Sequence, residues 1–115
     1  MVKSVLGEHH QGLREWVIQR VSAILIAIYI IAMMFYFVMK PNLSYAEWHY
    51  LFSRDWMKIA TLLFIASLLF HAWVGMWTIF TDYVKPYVIR CLLNLFVFLM
   101  LVTCFLWGML ILWSV

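Results

Sequence analysis

The residues of this 115-residue chain that can do chemistry fall mostly in one stretch, from His71 through Gly75 and Thr78 to Asp82, Tyr83 and Lys85. A neutral imidazole offers a lone pair to a metal ion. A phenol with an ordinary pKa of about 10 stays protonated at neutral pH and donates a hydrogen bond to a carbonyl oxygen. A carboxylate at a water boundary relays protons, and a nearby lysine tunes its charge. Ser67, His71, Gly75, Thr78 and Asp82 recur at steps of four, four, three and four, so on a helix they share one face. At 1.5 Å per residue, His71 stands about 16 Å along that helix from Asp82. Arg20 is the other candidate. It is either a cation for a buried anionic ligand or a snorkelling anchor at a membrane edge.

The elements that must position these groups are set by composition. With 68% hydrophobic, 19% aromatic and only 11% charged residues, the chain lacks the charge to cover a soluble surface. Three apolar runs, at about 21–39, 59–80 and 91–113, are each long enough to cross a bilayer, which takes about 20 residues. Lipid offers the backbone no partners, so each run must be a helix. The expected fold is an all-α membrane protein of three transmembrane helices, a single domain over 1–115. Three helices enclose little, and polar groups within them need partners, so the chain is expected to join a larger helical bundle with another subunit. Cys91 and Cys104, about 220° apart on the third helix, cannot pair with each other and read as apolar fillers. Basic residues sit at span ends and form no run, so nucleic-acid binding is excluded.

Residues 1–20 are polar and carry the pair His9 and His10, with no further ligand at workable spacing. The first apolar run starts too late and runs too long for a cleaved signal, and an acid-free transit peptide is absent, which points to a bacterial inner membrane. The Lys40–Lys58 loop, with Trp48, His49, Tyr50, Arg54 and Trp56, suits a short amphipathic segment on the membrane surface. A connection over 81–90 then leads to the third span, where Asn94, Thr103 and Gly108 read as helix packing. Lys and Arg number five on the side of the N-terminus and second connection (Lys3, Arg14, Arg20, Lys85, Arg90). The other side holds three (Lys40, Arg54, Lys58). The excess predicts a cytoplasmic N-terminus and a periplasmic C-terminus.

A histidine near the middle of a membrane is costly and has two readings, a hydrogen-bonding packing residue or a ligand. The ligand reading suits haem. Gly75, one turn on, leaves room for a flat macrocycle, and Arg20 is a counterion for a propionate. Electron-transfer haems usually take two protein ligands, so the second must come from another chain. Asp82 and Tyr83 at the membrane boundary suit a lipid-soluble quinone, Tyr83 holding its carbonyl oxygen and Asp82 passing protons. The alternative is a helix stop with interfacial anchors.

The run HAWVGMWTIFTDYVKP within a three-span chain of this length resembles the D-type cytochrome b membrane anchor subunits of succinate dehydrogenase, respiratory complex II. Gln19-Arg20-Val21-Ser22-Ala23 is compatible with that family. The resemblance implies a complex of flavoprotein, iron-sulphur subunit and two membrane anchors that oxidises succinate and reduces ubiquinone. In it, His71 resembles a ligand of haem b shared with the second anchor, Arg20 a residue near the propionates, Tyr83 the quinone-binding tyrosine and Asp82 its acidic neighbour. FAD and the iron-sulphur clusters belong to partner subunits, and no catalytic residue is expected in this chain alone. The competing expectation is a haem-free structural anchor of a fumarate reductase-like or other membrane complex.

Overall fold

A computed structural model describes the backbone from Val2 and the side chains from Gly12 to Val115; the side chains of His9 and His10 lie outside the described residues. Four helices follow one another: α1 (Val2–Met39), α2 (Tyr45–Ser53), α3 (Asp55–Tyr83) and α4 (Tyr87–Ser114). Three of them carry segments long and apolar enough to cross a membrane, Gly12–Met39, Asp55–Tyr83 and Tyr87–Ser114. Each segment outruns the apolar run that marks it. The polar flanks continue the helix because nothing in them breaks it, and lysine and arginine stems lie comfortably along an apolar surface.

The breaks come where backbone chemistry demands them. Pro86 has no N–H and pushes the preceding residue out of the helical region. Val84 is extended, its N–H still bonded to the Phe80 carbonyl, and Pro86 opens α4. The second connection is therefore only residues 84–86, not the ten expected from hydropathy. At the other end Lys40-Pro41-Asn42 closes α1, and α2 starts on a reciprocal cap. The Glu47 N–H bonds to the Ser44 hydroxyl, and the Ser44 N–H bonds to the Glu47 carboxylate at 3.0 Å. Those bonds from the Ser44 amide and hydroxyl hold the Glu47 carboxyl below its ordinary pKa. Trp48 of α2 stacks on Phe37 and packs against Phe52, so this short helix folds back on the end of α1. His49 is exposed, as expected of a surface residue.

Helix α3 is the centre, packed against α1 on one side and α4 on another. The α1–α3 seam is antiparallel: Tyr29 stacks on Phe64 at 4.3 Å between ring centroids and shares a 2.8 Å hydrogen bond with Thr61. The α3–α4 seam joins Trp73 to Phe98 edge-to-face. Its other end brings Lys58 Nζ over the Trp113 ring and within 3.4 Å of the terminal Val115 oxygen. A side chain at Gly108 would put its Cβ 3.1 Å from Ile65 Cδ1, so the Ile65 side chain would have to shift by a few tenths of an ångström to admit it, and glycine lets α3 and α4 approach closely there. Trp73 and Phe80, which lie off the polar stripe of α3, are in the bundle, half-buried and buried, while Trp77 is exposed. The reason is that α3 has two covered faces, not one.

The outer surface is apolar. Ile31, Phe35, Val38 and Leu110 stand open on α1 and α4, which suits lipid or neighbouring helices and would not survive in water. Both cysteines are free.

The Tyr29–Thr61 bond gives a direct test of the α1–α3 seam. Thr61→Val keeps the shape and deletes the hydroxyl. It is expected to cost about 0.6 kcal/mol, and at most about 1.7, measured as a lower thermal midpoint of the complex in detergent, with Thr61→Ser close to wild type. An unchanged midpoint for Thr61→Val means that the Tyr29 hydroxyl contributes nothing to holding the helices together.

Candidate functional site

His71 lies two residues past the midpoint of α3, half-buried, on the face that meets α1. Its Nδ1 is 3.1 Å from the hydroxyl of Ser22, a residue 49 positions away and only 5% exposed. The same hydroxyl donates to the Gln19 carbonyl one turn earlier on α1, at 3.1 Å. One ring nitrogen is thus held inside the chain, and Nε2 is the atom left for an outside partner.

Gly75 follows one turn on. A Cβ there would meet nothing closer than Gln19 Nε2, at 3.7 Å, which is ordinary contact. Where Gly108 sits tight against Ile65, this glycine has room for a side chain within the chain's own packing. Beside it the Gln19 carboxamide oxygen is buried with no hydrogen-bond partner. A buried acceptor left without a donor costs about 1–3 kcal/mol, so this part of the seam is unsatisfied in the isolated chain. Ser67 of the predicted polar stripe is buried, His71 and Gly75 are half-buried, and Thr78 and Asp82 are exposed. The Thr78 hydroxyl turns back to the Val74 carbonyl at 2.9 Å and takes no part in the site.

Arg20 is exposed, with its guanidinium over the Trp16 ring at 5.3 Å and no carboxylate paired to it among the described residues. Because Ser22 faces His71, Arg20 sits only about 3 Å along the α1 axis from the imidazole level. Hydropathy puts Arg20 at the mouth beside Asp82. The register puts it within a turn of His71, since the first span-length segment begins at Gly12. Asp82 and Tyr83 stand apart from this group, in the last turn of α3. Both are exposed, Tyr83 to 78%, and Lys85 is exposed in the link that follows.

The structure therefore brings His71 and Gly75 together, puts Arg20 at a similar height but about 160° around α1 from the Ser22 face, and leaves Asp82 and Tyr83 about three turns away at the membrane edge. Sequence reasoning missed Ser22 and Gln19 as neighbours of His71. The small polar serine in an apolar run was a signal, but nothing local pairs it with residue 71. Among the described residues no three His, Cys, Asp or Glu side chains converge to hold a metal ion, so a metal at His71 would draw its other ligands from a macrocycle or another chain.

Three membrane-length helices, with a half-buried imidazole at mid-span and an apolar exterior, define a multi-pass membrane protein built for a larger assembly. Residues 3–108 match the family described as succinate dehydrogenase/fumarate reductase transmembrane subunit. A relative from Coxiella burnetii (strain RSA 493 / Nine Mile phase I), the succinate dehydrogenase hydrophobic membrane anchor subunit, is 48% identical over 103 residues, covering 90% of each chain. This chain belongs to the succinate dehydrogenase/fumarate reductase transmembrane subunit family.

Proposed function

We propose that this chain is the hydrophobic membrane anchor of a succinate dehydrogenase. In this reading His71 would be its ligand to a haem b shared with a second anchor subunit, and Tyr83 and Asp82 would help to form the ubiquinone site. The observation that carries the reading is His71 itself: an imidazole at mid-span with Nδ1 engaged inside the chain and Nε2 left over. Two features support the fit. Gly75 is a glycine that this chain's packing does not need, and Arg20, at about the imidazole level, pairs with no carboxylate among the described residues.

The haem would accept and return single electrons between the iron-sulphur subunit and the quinone site. His71 would hold the iron through its Nε2 lone pair, and Arg20 would balance the charge of a propionate. At the membrane edge Tyr83 donates its O–H to a quinone carbonyl oxygen, while Asp82, open to water, takes up and delivers protons with Lys85 close in sequence. FAD and the iron-sulphur clusters reside in the flavoprotein and iron-sulphur subunits. The excess of Lys and Arg on the side of the N-terminus and the second connection, five against three, orients the chain in a bacterial inner membrane with N-terminus cytoplasmic and C-terminus periplasmic.

Purification through a tag on this chain from native membranes tests the proposal. The expected product contains a second anchor, an iron-sulphur subunit, a flavoprotein and a reducible b-type absorbance, and it oxidises succinate. An assembled complex with no haem absorbance overturns the ligand role and leaves a fumarate reductase-like structural anchor. Recovery of this chain alone, folded and monodisperse, overturns the assembly.

A further inference from the structure

We propose that Ser22 is a positioning residue for His71, tying the imidazole to the α1 backbone through the chain His71 Nδ1–H to Ser22 Oγ–H to the Gln19 carbonyl. The proposal rests on the reading of His71 as a haem ligand.

A serine hydroxyl has one proton and two lone pairs. Spent on the Gln19 carbonyl at 3.1 Å, that proton leaves the oxygen as an acceptor facing Nδ1, also at 3.1 Å. Nδ1 then carries the ring hydrogen and Nε2 carries the lone pair, which is the tautomer that an iron ligand needs. The opposite arrangement, with the serine proton on Nδ1, puts the hydrogen on Nε2 and closes the ring to a metal. Ligation at Nε2 selects the first arrangement, and Ser22 holds it ready. Burial makes the serine hard to replace: at 5% exposure no solvent stands by to take over its bond.

The bond does two things to the ligand. It fixes ring rotation about the Cβ–Cγ bond by anchoring one edge to a different helix. It also draws the Nδ1 hydrogen outward, which makes Nε2 a stronger donor and favours the ferric over the ferrous state. Removing the hydroxyl is therefore expected to raise the haem midpoint potential, broaden the low-spin ferric resonance as ring orientations spread, and weaken haem retention by about 10- to 100-fold.

The test uses the assembled complex in membranes, with Ser22→Ala, Ser22→Val and Ser22→Thr beside His71→Ala, each normalised to flavin. Alanine is the best helix former, so Ser22→Ala keeps α1 intact. Threonine and valine have the same shape, and only threonine keeps the hydroxyl. Optical redox titration and low-temperature electron paramagnetic resonance are read, neither of which depends on turnover. The expected result is an upward shift in potential with altered resonances for Ser22→Ala and Ser22→Val, and wild-type behaviour for Ser22→Thr. Wild-type values in both hydroxyl-free variants overturn the proposal, as do equal shifts in Ser22→Thr and Ser22→Val, which would trace to bulk. Failure of the underlying reading looks different: His71→Ala itself would then leave the haem signals unchanged.

Discussion

The His71→Ala complex is expected to lose its bis-imidazole, low-spin haem spectrum while retaining all three spans. Among the described residues the imidazole is the one histidine at mid-span, and alanine replaces it with a methyl group in a helix interior that alanine favours. What remains is the partner's ligand, the Arg20 cation and an apolar pocket, so residual haem is expected to be weakly held and no longer low-spin six-coordinate. Ser22 is left buried with its proton still satisfied by Gln19, so the α1–α3 seam survives the change. The measurement is the reduced-minus-oxidised spectrum of the purified complex at equal flavin content. A wild-type spectrum from His71→Ala would remove the residue from the haem site and make its bond to Ser22 an ordinary interhelical contact.

Tyr83→Phe is expected to slow succinate-to-quinone turnover while sparing succinate oxidation by a dye that takes electrons upstream at the flavin or iron-sulphur centres. The ring and its interfacial anchoring stay, and only the hydroxyl goes. Its bond to a quinone oxygen contributes about 0.5–1.5 kcal/mol, which corresponds to about two- to tenfold in rate, and more where a buried acceptor is left bare. The side chain is 78% exposed, so its hydroxyl can be deleted with little effect on the bundle. Asp82→Asn, at a residue also exposed, is expected to give the same split with a steeper dependence on pH if the carboxylate relays protons. Both activities are measured in one membrane preparation. A parallel fall in the two assays would trace the effect to assembly. Unchanged turnover in both variants would reduce Asp82 and Tyr83 to the end of α3.

The three spans were legible in the sequence because lipid gives an unpaired backbone nowhere to go: a long apolar run has to be a helix whatever surrounds it. The sharing of one helical face by Ser67, His71 and Gly75 was equally local, since it follows from the 3.6-residue period alone. The extent of the helices beyond the apolar runs was not legible, since hydropathy stops at the last apolar residue whereas the backbone continues until a proline or a cap interrupts it, as at Pro86. Tertiary structure alone decided that Ser22 meets His71, that Gln19 lies by Gly75 and that Arg20 stands near the imidazole level. Each of these depends on the register of α1 against α3, and that register is set by the sum of contacts along the seam, Tyr29 on Thr61 and Phe64 among them. No single residue encodes it, because sliding one helix along another by a turn preserves every local preference and changes every partner.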